Sequence, residues 1–111
     1  AEALENGEAN RFGQGYNVMA WKECRARVLF FLQAARARLD VAAPEFDAAI
    51  AACTETVEHL DALARRLPFV YAHEMDEHEL VQDAEAADLA RRAGASDLQT
   101  LECLRALYEA I

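Results

Sequence analysis

Residues 46–67, FDAAIAACTETVEHLDALARRL, set Phe46, Ile50, Cys53, Val57, Leu60, Ala64 and Leu67 at alternating spacings of four and three. This alternation places all seven side chains on one narrow stripe of a helix, and such a stripe needs a partner helix to cover it. The chain around it is punctuated accordingly. Asp40 to Ala43 form a corner, and Pro44 suits the first turn of the helix that follows. Pro68 breaks that helix, because proline lacks an N–H and disfavours helix in the residue before it.

Upstream, a first helix is expected from Asn17, as N-cap, to Leu39. Trp21, Cys24, Val28, Phe31, Leu32, Ala35 and Leu39 share one of its faces. Met19, Ala26, Phe30 and Ala37 form a second apolar stripe well away from the first. A helix with two apolar faces is either central in its own domain or shared with another chain. Residues 1–16 hold Gly7, Gly13 and Gly15 and read as a flexible leader ahead of a single helical domain over 17–111.

Downstream, a third helix is expected over 69–93, acidic through Glu74, Asp76, Glu77, Glu79, Asp83, Glu85 and Asp88 and closed by Arg91, Arg92 and Gly94. Ser96 followed by Gln99 matches a capping box and starts a fourth helix, whose buried half is Leu101, Leu104, Leu107, Tyr108 and Ile111. The expected fold is therefore all-α, a four-helix up-down-up-down bundle, with a three-helix core carrying an appended fourth helix as the alternative.

Composition agrees with this class. The 25 alanines and 13 leucines favour helix. No apolar run reaches the 18 or so residues of a membrane span. Twenty acidic against 11 basic residues give a net charge of −9, which repels nucleic acid and anionic lipid and favours a protein partner with a basic surface. Cys24, Cys53 and Cys103 are an odd, widely spaced set without a CxxC pair, as expected for a reducing, cytoplasmic setting.

The most chemically loaded stretch is His73-Glu74-Met75-Asp76-Glu77-His78. It misses the zincin spacing by one residue, but His73 with Glu77 and Glu74 with His78 are i, i+4 pairs on shared faces. His73, Glu77 and His78 are the candidate metal or proton-transfer residues, because a carboxylate beside an imidazole fixes its tautomer or favours its charged form. Glu55 and His59 form another i, i+4 pair, expected to lie opposite the seam. A phosphotransfer role for His59 fits poorly, since Ala62 and Leu63 stand where such domains place a lysine and a glycine. Leu89 to Ser96 has the outline of a helix-turn-helix, but its reading helix would present Asp97, Glu102 and Glu109 to phosphates. No catalytic constellation is apparent, and no cofactor is implied. The expected function is a non-enzymatic helical interaction or self-association domain, with Met19, Ala26, Phe30 and Ala37 as interface of a homodimer. The competing reading is a metal-binding or proton-transfer bundle built on the His73/Glu77 region.

Overall fold

The computed structural model describes residues 11–66 and 84–111, with side chains from Tyr16 onward in the first segment. Among the described residues it is all-helical, with three helices: α1 (Arg11–Arg38), α2 (Ala43–Arg66) and α3 (Ala84–Ala110). None of them is long and apolar enough to cross a membrane.

Both four-helix expectations are overturned. The third and fourth predicted helices are not separated at Gly94, because α3 runs unbroken from Ala84 to Ala110. Ser96 does not cap a new helix. Its hydroxyl donates back within α3, to the carbonyl of Arg92 at 3.0 Å or of Ala93 at 3.1 Å. A serine in mid-helix satisfies itself in this way without interrupting the ladder. The first helix also differs at its start, beginning at Arg11, six residues ahead of Asn17.

Helix α2 is the central element, packed by α1 on one side and α3 on the other. Its predicted seam is buried at Phe46, Cys53 and Leu60 and half-buried at Ile50, Val57 and Ala64. Leu67 lies outside the described residues. Ala49, Ala52, Thr56 and Leu63 are buried as well, so the covered arc of α2 is wider than the seam and turned toward α3. The facing side of α3 is Ala93, Ser96, Thr100, the half-buried Cys103 and Leu107, again at spacings of three and four.

The Thr56 and Thr100 hydroxyls meet at 3.2 Å and fix the antiparallel register. Counting outward from them sets Cys53 opposite Cys103, Ala49 opposite Leu107, Leu60 opposite Ser96 and Leu63 opposite Ala93. Three of these layers pair a leucine with a small residue, so the two helices can approach closely without a void. Two apolar clusters extend the packing to α1. Val18, Leu63, Ala86 and Ala87 close one end, and Leu32, Phe46, Ala49, Cys53 and Leu107 close the other.

The apolar faces predicted for the outer helices are rotated. On α1, Leu32 and Val18 are buried, whereas Phe31, Cys24 and Leu39 of the predicted face are exposed. The covered side, anchored by Val18 and Leu32, also carries Lys22, Arg25 and Arg36, each of which reaches a carboxylate on a neighbouring helix. On α3, Leu107 is buried and Leu104 half-buried, while Leu101, Tyr108 and Ile111 face solvent.

The connection of α1 to α2 is short and strained. Ala42 takes a left-handed backbone with φ 51°, unfavourable for a residue with a Cβ. Its carbonyl accepts from the Phe46 amide at 2.9 Å and so opens the hydrogen-bond ladder of α2.

Two substitutions test this architecture in equilibrium denaturation. A Cβ added at Gly94 meets nothing within 4 Å. Gly94→Ala should therefore stabilise by about 0.5–1 kcal/mol, because an alanine loses less backbone freedom in a helix interior. Were Gly94 a left-handed C′ residue, the same change would destabilise. Leu60→Ala, at a fully buried position in the α2–α3 contact, should cost about 2–5 kcal/mol.

Candidate functional site

Two features of the described residues stand out. The first is a polar ladder along the α2–α3 contact that opens into a groove. Thr56 Oγ1 is 3.0 Å from the carbonyl of Ala52, and Thr100 Oγ1 is 3.0 Å from that of Ser96. One turn along, His59 Nδ1 lies 3.3 Å from Ser96 Oγ. Beyond it, Glu55, His59, Arg92, Ala95, Ser96 and Gln99 line an open groove of about 470 Å³.

His59 was expected opposite the seam, facing outward. It is half-buried against α3 instead. At 100° per residue it lies beside Ala52 on the helix, and the covered arc of α2 reaches that far round. The Ser96 hydroxyl directs its single proton at the backbone carbonyls, so it accepts from the Nδ1–H of the ring. That arrangement assigns the tautomer and leaves Nε2 as the free nitrogen at the groove. It is the reverse of an activated nucleophile, in which serine must donate to the imidazole. Ser96 is also largely buried, although it contributes to the lining of the groove. The ladder therefore does structural work, and its histidine belongs to the helix contact.

His73, Glu77 and His78 lie outside the described residues. Among the described residues no group of three His, Cys, Asp or Glu side chains is close enough to hold a metal ion. Cys53, opposite Cys103, is a free thiol that donates to the Arg25 carbonyl at 3.4 Å. Burial pushes its pKa above the ordinary thiol value, which keeps it neutral and unreactive.

The second feature is helix α1. Its covered side is tied down by ion pairs. Arg25 forms a two-pronged contact with Asp97 of α3, Nε to one carboxylate oxygen and a terminal nitrogen to the other at 3.0 Å. The hydrogen bond that Arg25 donates to Asp97 raises the Arg25 pKa further, against the effect of burial. Lys22 reaches Asp61 at 2.9 Å and Arg36 reaches Asp47 at 3.1 Å, both on α2. The Lys22 hydrogen bond holds Asp61 below the usual carboxylate range.

The opposite side of α1 carries the second apolar stripe. Phe30 is 73% exposed, Ala26 and Ala37 are exposed, and Met19 is half-buried. At 100° per residue the four fall within about 40° of arc, centred about 120° from the Val18–Leu32 side. Glu23, Arg27 and Arg38 on the same outer half make no ion pair with the described residues. Further exposed apolar side chains, Phe31 on α1 and Leu98, Leu101 and Tyr108 on α3, lie outside this stripe.

Comparison with known proteins gives no match: no family model fits the chain, and no curated protein or solved structure is significantly similar to it.

The Arg25–Asp97 pair is a direct polar tie between α1 and α3, and the Asp97 side chain is only 13% exposed. Asp97→Ala should cost about 1–3 kcal/mol in urea denaturation, since it leaves a partly buried guanidinium without its hydrogen-bond acceptors. A loss within error of zero would show that this pair does not contribute to holding α1 against α3.

Proposed function

We propose that this chain is a non-enzymatic helical interaction domain that self-associates through the outer face of α1. One observation carries the reading. A phenylalanine stands largely in solvent at the centre of an aligned stripe, on a helix whose opposite side already packs against α2 and α3. An isolated exposed apolar residue needs no explanation, but an aligned patch marks a contact surface. Burying a phenylalanine of this kind contributes roughly 1.5–3 kcal/mol before the costs of association. In an isologous dimer each copy contributes one, so the gain doubles.

The chemistry of the groove supports the same class of function. His59 is engaged by Ser96 in a tautomer unsuited to activating it, and the nearby hydroxyls are spent on backbone carbonyls. The surplus negative charge on the outer faces, including Glu55, Glu58 and Glu102, suits a further partner with a basic surface.

Light scattering and circular dichroism together test the proposal. The wild-type chain should be a dimer at tens of micromolar, and Phe30→Glu should be a monomer with unchanged helicity. A wild-type monomer at high micromolar concentration removes the proposal. Loss of helicity in Phe30→Glu would place Phe30 in the chain's own core and remove it equally.

A further inference from the structure

Self-association leaves open how two copies of α1 meet, and the stripe itself carries that information. Resting on the self-association reading, we infer that the two α1 helices pack antiparallel about a two-fold axis level with Val28, with Met19 against Ala37 and Ala26 against Phe30 of the second copy.

An isologous contact requires that if one residue touches another, the reverse contact also occurs. For antiparallel helices the face must then complement its own reverse. The four stripe residues meet this condition. Reflecting the sequence about position 28 exchanges Met19 with Ala37 and Ala26 with Phe30. Each large side chain then meets an alanine, the interlocking that close helix packing needs. A parallel pairing about the same stripe would set Phe30 on Phe30 and Met19 on Met19, with alanine facing alanine between them. Such a pair separates at its large residues and leaves gaps at its small ones.

Charge selects the same arrangement. Glu23 and Arg38 lie on the outer half of α1 and make no ion pair among the described residues. In the antiparallel pair, Glu23 is level with Gln33 and Ala34 of the second copy. Helical side chains lean toward their own N-terminus. Glu23 therefore leans toward Arg38 of the second copy, and that arginine leans toward Glu23, on the same flank of the interface. Symmetry makes two such pairs. At 100° per residue Arg27 lies nearer the stripe than Arg38 and stands close to its own mate by the two-fold axis, an exposed like-charge contact that ionic screening weakens and that the two Glu23–Arg38 pairs offset. The occupant of the α1 face is thus a second copy of this chain.

Oxidative cross-linking reads the register directly. In a Cys24→Ser, Cys103→Ser background, Met19→Cys and Ala37→Cys are prepared separately, mixed and oxidised with copper phenanthroline. The antiparallel register predicts a disulfide-linked dimer in the mixture and little in either variant alone. Same-residue positions would stand 18 residues apart along the pair, about 27 Å at 1.5 Å per residue. Efficient cross-linking of each variant alone, or of none, overturns this register. In either case a wild-type dimer that Phe30→Glu dissociates leaves self-association standing. A wild-type monomer removes both readings together. A second comparison needs no added cysteine: the swap Ala26→Phe with Phe30→Ala should dimerise as the wild type does, because phenylalanine still meets alanine. Ala26→Phe alone should weaken the dimer at least tenfold, because phenylalanine then meets phenylalanine. Failure of the swap to restore the dimer overturns the register.

Discussion

Two threonine hydroxyls, fully buried where α2 crosses α3, set the terms for the rest of the molecule. A buried hydroxyl without a partner costs more than a typical hydrogen bond returns. With one proton each, one of Thr56 and Thr100 donates to the carbonyl four residues back in its own helix and accepts the proton that the other donates across the contact. Because threonine is short, the helices come close enough for the hydroxyls to meet, and that closeness admits only alanine, serine or cysteine opposite the neighbouring leucines. Sliding α3 by four residues would set Thr56 against Leu104 and Leu60 against Thr100 in one direction, and Leu63 against Leu89 in the other. The antiparallel register therefore follows from a small polar contact more than from the bulk of the core.

A contact that close has a geometric consequence for α1. The core between α2 and α3 is filled by short side chains, so it offers little apolar surface to a third helix. Helix α1 is secured at each end by an apolar cluster and, between them, by cations that reach over to carboxylates on both neighbours. The Arg25–Asp97 fork is the most protected of these links. The rotation of α1 puts Val18 and Leu32 in the clusters and its paired cations beside them, and the apolar residues on its other side are left facing out.

Much of α2 was legible in the sequence, because its large apolar residues and its buried residues largely coincide: Phe46, Cys53 and Leu60 are core. The outer helices were misread for a shared reason. Size was taken as a guide to burial, yet in α3 the small residues Ala93, Ser96 and Thr100 are covered while Leu101 and Tyr108 are not. Charge was taken as a guide to exposure, yet Arg25 is drawn inward by Asp97, a contact between residues far apart in the chain. Gly94 and Ser96 looked like a helix end because their residue types favour ends. A serine that bonds to the preceding turn and a glycine with open space around it are equally compatible with a continuous helix. His59 was placed outward because the seam was taken as the whole buried arc. The outer stripe of α1 was legible as a stripe, and it is exposed because Val18 and Leu32, about 120° away, are the side chains packed in the clusters.

The same economy that makes the α2–α3 contact tight makes the isolated unit thin. Alanines make up much of its buried apolar set, at Ala49, Ala52, Ala86, Ala87 and Ala93, and each buries little surface compared with a leucine or phenylalanine. Meanwhile Phe30, the largest side chain of the α1 stripe, stays in solvent. A single copy therefore spends its small residues on register and leaves apolar surface uncovered. Pairing through α1 would reverse that imbalance by the same rule that governs α2 and α3, a large residue set against an alanine. One packing rule would then serve both the inside of the chain and the proposed outer contact, with hydroxyls fixing the register in one and charges favouring it in the other.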